Sequence, residues 1–518
     1  MKNFYTVRVA LIVALGGFLM GFDASVISGV VRFIEPYFSL SKIQLGWAVA
    51  CLTLIATITM LVAGPISDKI GRKKVLTYAA VLFAISAITS ALATEFWFFI
   101  VARMIGGIGV GASLIIAPMY IAEISPPKSR GRLVSFNQLN IVIGISVAFF
   151  SNYLILKLTN SDASWVKSLN IDSQAWRYML GVEAIPAILY FAFLFFVPRS
   201  PRWLALKGFE EKALAIMKKA SGEEIALEEF KAIKDSIASN AQKSKANIKE
   251  LFKPAMKLVM IIGIVIAITQ QITGINAVFF YAPMIFEQSG VGVDASFSQA
   301  IFVGLTNLVF TIVAMWLIDK LGRKPLLMIG LIGIVISMSV IGMAFKSATY
   351  SLDREKITAL DKKVMNEKLY LFEDKTFESD KEIRQEIAKV FGNDINKNQE
   401  NAIITKAINI NSTLVLFGII AFVASFACSL GPVMWVLFSE LFPNRLRGLA
   451  ISFAGTINSA FSFLVQLVFP WELENIGNSN TFFLYGIFAI IGLIVLKIYL
   501  PETKGKSLEE LEKILVKN

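Results

Sequence analysis

Residues 68–73 of the chain read DKIGRK, and residues 319–324 read DKLGRK. Each hexapeptide lies between two long apolar stretches. Five of the six letters are identical, which indicates that the chain was built twice from one unit.

Two further patterns recur in the same order around the hexapeptides. E-x-x-P-x-x-x-R-G begins at Glu123 and again at Glu440. PRSPRW begins at Pro198 and PETKGK at Pro501, and each follows the last apolar stretch of its half. These repeats predict two homologous halves within a membrane protein.

The composition supports a membrane protein. Of the 518 residues, 56% are hydrophobic and 17% are charged, whereas soluble domains are about 25% charged. A membrane-spanning helix needs about 20 mostly apolar residues. The sequence therefore predicts an all-α membrane protein with twelve transmembrane helices in two six-helix bundles. The apolar stretches are 7–31, 42–66, 75–93, 97–122, 133–157, 177–197, 255–286, 298–318, 325–345, 412–439, 449–470 and 481–500.

The net charge of +12 is explained by topology. Basic residues concentrate in the loops after stretches 2, 4, 8 and 10, and the alternate short loops hold few. Because cytoplasmic loops carry the excess of Lys and Arg, both termini and both hexapeptides are predicted to be cytoplasmic. We expect a multi-pass protein of a cell membrane, namely a bacterial inner membrane. Its expected partner is the lipid bilayer, and binding of nucleic acid is not expected.

Several classes of function find little support. The chain has no histidine, and its two cysteines, Cys51 and Cys428, both lie in apolar stretches. No metal-ligand spacing, phosphate-binding loop or nucleophile–base pair is present. Neither a metal nor a cofactor is expected, and an enzyme is disfavoured. A sugar sensor is disfavoured too, since only 18 residues follow Leu500.

The repeat also locates inserted material. Asp68 and Glu123 are 55 positions apart, whereas Asp319 and Glu440 are 121 apart, so the second half holds 66 additional residues. The polar, charged segment 346–410 accounts for them. It is predicted to be an external solvated loop, helical or partly disordered, with a small cap or partner-binding element as the alternative.

The predicted organisation has four parts. The connector is expected to form amphipathic helices on the cytoplasmic face, and the tail a helix over 507–515 with Ser507 as its N-cap. The parts are an N-terminal bundle (1–200), the connector (201–252), a C-terminal bundle with the insert (253–500) and a tail (501–518).

Three ionisable residues lie well inside apolar stretches, away from the ends of those stretches. Asp23 lies midway through the first stretch, Arg103 in the fourth and Glu183 in the sixth. A charge at the bilayer centre costs about 2.5–3.5 kcal/mol on insertion scales. We therefore expect Asp23 and Arg103 to pair. The pair is interpreted as a protonatable switch, with a static packing pair as the alternative.

A group of amides suggests a ligand site. QQITGINAVFFYAP holds Gln270, Gln271 and Asn276, and Gly274 is expected to loosen the helix so that the three converge. Amides both donate and accept, which suits a neutral polyhydroxylated ligand. Hydrogen bonding between helices is the alternative for any one of them. Amides in other stretches that complete the set are Gln138, Asn307 and Asn458.

Trp435 follows Gly431 and Pro432 in SLGPVMWVLFSE. A Gly-Pro pair inside a membrane helix predicts a break or hinge. The indole is expected to stack on a sugar, and ordinary packing is the alternative.

Acids and arginines recur at the helix ends of the two halves. We expect ion pairs that act as a latch on the cytoplasmic face, each worth about 0–1 kcal/mol if exposed. The expected pairs are Asp68–Arg72, Glu123–Arg130, Asp319–Arg323 and Glu440–Arg447.

Together these strings resemble the sugar porters of the major facilitator superfamily. The resemblance spans nearly the whole chain apart from the insert and much of the connector. The matching strings are GPISDKIGRKK, PMYIAEISPPKSRGRL, PRSPRWL, QQITGINAVFFYAP, IDKLGRKP, GPVMWVLFSELFPNRLRG and PETKGKSLEEL.

The resemblance implies the major facilitator fold and import of a monosaccharide, a pentose or hexose, by proton symport through alternating access. A facilitative uniporter is the alternative. It implies coupling through Asp23 and Arg103 with Glu183 as a relay, a cytoplasmic gate that includes Arg202, and a functional monomer. The sugar site implied is Gln138, Gln270, Gln271, Asn276, Asn307, Trp435 and Asn458.

The chain departs from its relatives at a few positions. Met20 stands where relatives usually have an aromatic residue, and Ile145 where they often have glutamine. Asn458 stands where a relative has glutamine, and Ser459 stands where a tryptophan usually follows that amide. These changes bear on the choice of sugar. Arg199 replaces the acid of the usual PESPR, which changes the charge balance of the gate.

Overall fold

The structure is a computed structural model of the chain. It describes residues 2–127, 129–242, 247–358, 360, 367–373, 375–392, 394–395, 397–443, 445–506 and 510–511.

In the described residues, twelve helical segments are long and apolar enough to span a membrane, six in each half. The predicted all-α membrane fold is confirmed. The first six consist of α1 (Lys2–Tyr37), α2 (Lys42–Ile70), α3 (Arg72–Ala91), α4 (Phe96–Ile124), α5 (Arg130–Thr159) and the pair α7 (Ile171–Gly181) and α8 (Ala184–Leu194), with the short α6 (Ser164–Ser168) before the pair.

The predicted connector helices are present. They are α9 (Pro201–Leu206), α10 (Glu210–Ser221) and α11 (Glu223–Gln242), followed by two short 3₁₀ turns, Ile248–Phe252 and Pro254–Met256. The second six spans are the pair α12 (Lys257–Ile272) and α13 (Ile275–Gln288), then α14 (Val293–Leu321), α15 (Arg323–Lys346), the pair α19 (Ser412–Cys428) and α20 (Leu430–Leu441), α21 (Arg447–Asn475) and α22 (Asn478–Tyr499).

The repeated hexapeptides form the same turn in both halves. Gly71 ends α2 at φ 96°, and Gly322 ends α14 at φ 93°. Only glycine adopts such angles without strain, so the chain stops one helix and starts the next within one residue. The end of the protein that carries both turns is called the motif end.

The opposite end carries the insert and is called the insert end. There the halves are joined directly: Arg32 Nη1 donates to Glu287 Oε2 at 2.5 Å, and Lys157 Nζ donates to Asp294 Oδ2 at 3.0 Å. Helix α2 also packs on α21, and α5 on α14. The two halves therefore meet at the insert end.

The insert is more ordered than the loop predicted from its composition. A three-stranded antiparallel sheet has the order β2–β1–β3, with Tyr350 paired to Phe377 on one side and Ile408 on the other. Phe372 and Ile383 lie in a separate apolar core. The elements are β1 (Thr349–Ser351), α16 (Arg354–Thr358), the 3₁₀ turn Glu367–Phe372, β2 (Thr376–Phe377), α17 (Asp380–Phe391), α18 (Lys397–Ala407) and β3 (Ile408–Asn409).

The expected solvated loop therefore has a fold of its own, because apolar residues spaced through a charged segment are enough to form a core. The alternative, a small cap or partner-binding element, stays a prediction. The predicted tail helix over 507–515, with Ser507 as its N-cap, lies outside the described residues apart from 510–511, which are helical.

Candidate functional site

Asp23 on α1 and Arg103 on α4 form the ion pair expected from the sequence. Arg103 Nη1 donates to Asp23 Oδ1, and Arg103 Nη2 donates to the Asp23 carbonyl oxygen at 3.3 Å. Each residue is 1% exposed. The pair lies within the first half, where helices α1 and α4 pack together.

Glu183 completes a buried group of three charges, which we call the charge cluster. It is 2% exposed and lies at the break between α7 and α8, close enough to interact electrostatically with both Asp23 and Arg103. Within the described part of the chain, Asp23 Oδ2, Arg103 Nε and Glu183 Oε1 are buried without a hydrogen-bond partner. Two buried carboxyl groups thus lie near one guanidinium, which is bonded to Asp23.

The seventh span breaks at Gly274, as the sequence predicts. Helix α12 ends at Ile272, Gly274 adopts φ 91°, and α13 begins at Ile275. A Cβ at Gly274 would lie 2.3 Å from the Tyr485 ring. Both the angle and the close approach therefore require glycine.

The break brings the expected amides together. Asn458 Nδ2 donates to Gln270 Oε1 at 2.6 Å, and Gln271 Nε2 donates to Asn458 Oδ1 at 3.1 Å. Asn276 Nδ2 donates to Gln271 Oε1 at 2.8 Å. Four of the predicted residues, Gln270, Gln271, Asn276 and Asn458, form one hydrogen-bonded group.

The hydrogen bonds continue beyond the predicted set. Asn276 Nδ2 and Gln466 Nε2 both donate to Ser462 Oγ, at 2.6 and 2.8 Å. Thr53 Oγ1, on α2 of the first half, donates to Gln466 Oε1 at 2.9 Å. We call this series, from Gln270 to Thr53, the polar chain.

Sequence reasoning missed Ser462, Gln466 and Thr53. A signal was present, since Asn458, Ser462 and Gln466 recur every four residues and therefore share one face of α21.

Gln138, Asn307 and Trp435 do not join the described bonds of the polar chain. Gln138 is exposed on α5, Asn307 is 6% exposed on α14, and Trp435 is 41% exposed on α20. The Trp435 ring meets Phe438 edge-on at 5.9 Å. The expected break lies just before Gly431: α19 ends at Cys428, and α20 starts at Leu430.

The charged residues at the motif end form one cluster in each half. Arg72 Nη2 lies 3.0 Å from Glu123 Oε1, and Arg323 Nη2 lies 2.8 Å from Glu440 Oε1. The expected pairs with Asp68 and Asp319 are present at 2.6 and 3.6 Å.

Two expected gate pairs are wrong. Arg72 and Arg323, which directly follow the two glycine turns, bind the carboxylates of Glu123 and Glu440. Arg130 instead pairs with Glu229 of α11 at 3.2 Å, and Arg447 donates to the Phe442 carbonyl oxygen at 3.1 Å. Arg202 is exposed on α9.

Glu229 therefore links the first half to the connector. It also accepts a hydrogen bond from Ser221 Oγ at 3.2 Å. Burial raises the pKa of Glu229 above its ordinary value, although the Ser221 bond and the Arg130 charge act in the opposite direction.

The third repeated pattern completes both clusters. Ser200 Oγ donates to Glu123 Oε2 at 2.5 Å, and Thr503 Oγ1 donates to Glu440 Oε2 at 2.6 Å. The PRSPRW and PETKGK segments therefore have the same role in each half: their hydroxyl holds the carboxylate that binds the arginine.

This arrangement is that of a transporter family. The Sugar (and other) transporter family matches residues 9–360 and 397–515. The chain belongs to this family, and its fold is that of the major facilitator superfamily. It is a multi-pass membrane transporter and not an enzyme. Residues 361–396, between the matched segments, lie inside the insert.

Individual relatives agree. The chain is 32% identical to an arabinose–proton symporter of Bacillus subtilis over 99% of this chain and 96% of that protein. It is 34% identical to the D-xylose–proton symporter of Escherichia coli over 98% and 95%. The structure is similar to the inward-open conformation of the E. coli xylose transporter XylE, with a TM-score of 0.75 and 32% identity, over 99% of this chain and 100% of that one.

Proposed function

We propose that the protein imports a monosaccharide together with a proton by alternating access. The main observation that supports this proposal is the charge cluster. If Asp23, Glu183 and Arg103 are all ionised, this buried group has a net charge of −1. Burying a net charge is costly, so one bound proton stabilises the cluster.

Proton binding at Asp23 would also change how two helices pack. Protonation of Asp23 weakens its attraction to Arg103, which frees α1 and α4 to change their packing. The Asp23 oxygen that lacks a partner, Oδ2, is the atom that takes the proton without first breaking a hydrogen bond. Proton binding is thereby linked to the shape of the first half.

The sugar binds at the polar chain in this proposal. Its amides donate and accept in alternation, as a polyhydroxylated ring requires, and the exposed Gln138 and Trp435 complete the site from other helices. The relatives named above carry arabinose and xylose, so a pentose is the expected substrate. Asn458 and Ser459, which differ from relatives, set the choice.

The orientation follows from charge. The basic loops of the motif end are placed in the cytoplasm together with both termini, and the insert faces outwards from the inner membrane. The clusters around Arg72 and Arg323 bond within their own halves while the insert end is closed. The described conformation then opens to the cytoplasm, and a monomer suffices for transport.

The test uses purified protein in liposomes with an imposed proton gradient. The wild type should accumulate labelled pentose and raise the external pH as it does so. Asp23→Asn should abolish accumulation yet retain sugar counterflow, because only the coupling step needs the carboxyl group. Asp162→Asn, at a fully exposed carboxylate outside the charge cluster, the polar chain and the motif end, is the matched control and should still accumulate.

Accumulation by Asp23→Asn would assign the coupling elsewhere. A full initial rate of the wild type after collapse of the proton gradient would make the protein a uniporter. Competition by xylose, arabinose, glucose, galactose, fructose and inositol in the same assay identifies the sugar.

A further inference from the structure

The internal repeat places opposite charges at two equivalent positions. In the second half, Glu502 follows Pro501 and caps α15: its Oε1 accepts the Arg323 N–H at 3.1 Å and its Oε2 accepts the Lys324 N–H at 3.0 Å. In the first half the equivalent residue, after Pro198, is Arg199. An anion stabilises a helix N-terminus, whereas a cation does not.

The backbone that would receive the anion is otherwise the same. Gly71 precedes α3 in the conformation that Gly322 adopts before α15, and Ser200 bonds Glu123 as Thr503 bonds Glu440. The N-cap of α3 is Gly71, and among the described residues no side chain accepts a hydrogen bond from the first N–H groups of α3. The first half thus has the same backbone turn before its helix but lacks the carboxylate that caps the helix in the second half.

A cavity of about 320 Å³ occupies this place, and we call it the basic cavity. Its walls include Lys73, Lys74 and Arg199. In the described part of the chain these three cations have no ion pair with a carboxylate, since Arg72 takes both Glu123 and Asp68. Lys73 and Arg199 are close enough to repel each other.

Lys73 Nζ donates to the Phe195 carbonyl oxygen at 3.3 Å, and the Arg199 guanidinium lies 5.7 Å from the centre of the Trp203 ring. Both cationic heads are therefore held at the cavity. Their charge is left uncompensated.

The surroundings of the basic cavity are apolar. Tyr78 and Phe195 line it and are 58% and 66% exposed, and the neighbouring Phe196 is 71% exposed. Tyr78 lies in the first two turns of α3, and Phe195 and Phe196 directly follow α8. The rings therefore lie at the motif end of both spans, where aromatic side chains meet the membrane–water interface. The basic and apolar walls together suit an amphipathic ligand that has an anionic headgroup and a hydrocarbon tail.

We propose that the basic cavity binds the phosphate headgroup of an anionic phospholipid. The phosphate oxygens accept hydrogen bonds from the first N–H groups of α3 and from Lys73, Lys74 and Arg199. The lipid supplies to α3 the negative charge that Glu502 supplies to α15. Its acyl chains lie along Tyr78, Phe195 and Phe196.

The test is thermal unfolding of the purified full chain in neutral detergent with added lipid. Phosphatidylglycerol should raise the Tm, and phosphatidylcholine at the same concentration should not. Arg199→Glu restores the internal carboxylate, so it should raise the Tm without lipid and weaken phosphatidylglycerol binding roughly tenfold or more. Arg199→Gln should weaken binding without raising the Tm.

Lys207→Glu is the matched control, because it makes the same change of charge at an exposed position just after α9, outside the basic cavity. It should keep the phosphatidylglycerol response. Loss of the response in Lys207→Glu, or its retention in Arg199→Glu, would overturn the proposal. An equal rise of the wild-type Tm with inorganic phosphate would show a site for a soluble anion and overturn the assignment to lipid.

Discussion

Thr53 of the first half donates a hydrogen bond to Gln466 of the second half at 2.9 Å. Through Ser462 and Asn276 the same amide is connected to Gln271. Four of the predicted sugar ligands, Gln270, Gln271, Asn276 and Asn458, and this contact between the halves therefore belong to one continuous series of hydrogen bonds. A ligand that reorients the amides changes the contact between the halves.

The first prediction concerns this contact. Thr53→Val removes one neutral, half-buried hydrogen bond, worth about 1 kcal/mol, so opening at the insert end should become roughly fivefold more frequent. Hydrogen exchange of backbone amides at the insert ends of α2 and α21 measures it. Thr57→Val is the control, since among the described residues the Thr57 hydroxyl bonds only the Thr53 carbonyl oxygen of its own helix. Equal acceleration by both variants would contradict the prediction.

The second prediction concerns the space around the charge cluster. A Cβ at Gly106 would lie 2.8 Å from Asp23 Oδ2 and 2.6 Å from Ser86 Oγ. Gly106→Ala should therefore displace the Asp23 carboxylate, lower the stability by about 1–3 kcal/mol and impair uptake.

Thermal unfolding and proteoliposome uptake measure both effects. Gly64→Ala, at a helical glycine with no heavy atom within 4 Å of the added Cβ, should leave both unchanged or raise the stability slightly. A Gly106→Ala variant that matches Gly64→Ala would show that the carboxylate has room to move.

The fold was predictable from the sequence because the lengths of the apolar stretches and the internal repeat can both be read directly from the chain. It also predicted the Asp23–Arg103 pair, since a buried charge within an apolar stretch needs a partner. The predicted partners of Glu123 and Glu440, the arginines of their own E-x-x-P-x-x-x-R-G motifs, were wrong. The spacing within the motif does not show that the arginine of the preceding turn binds the carboxylate instead. The fold of the insert was missed because charge dominates its composition.

The third prediction separates buried from exposed members of the motif-end clusters. Glu123 and Arg72 are 7% and 5% exposed, whereas Asp68 is 63% exposed. Glu123→Ala leaves a buried guanidinium without its main partner and should lower the stability by about 3–5 kcal/mol. Asp68→Ala should lower it by about 0–1 kcal/mol. Thermal unfolding ranks the two, and equal losses would argue against the described pairing.

The fourth prediction is a pH dependence. Burial raises the pKa of Glu502, but the hydrogen bonds from the N–H groups of Lys504, Arg323 and Lys324 outweigh it and hold the pKa below the ordinary 4.5. A carboxyl group with a lowered pKa stabilises the fold above its ordinary pKa, and this contribution is lost as the pH falls through the lowered value.

Glu502→Gln should therefore reduce the Tm at pH 7 and flatten the decline of the Tm below pH 4.5. Glu211→Gln, at an exposed position on α10, should reproduce the wild-type curve. A Glu502→Gln curve that runs parallel to the wild type below pH 4.5 would exclude the carboxylate cap as the cause.

The chain enters the insert through β1 and leaves it through β3, and Thr349 on β1 is paired with Asn409 on β3. Paired strands lie about 5 Å apart, so the two ends of the insert are neighbours. The same pair of strands can hold a different compact domain without moving α15 or α19. A 57.1 kDa protein that lies mostly within a membrane offers few features for image alignment, and this junction is where a rigid fiducial can be grafted for electron microscopy.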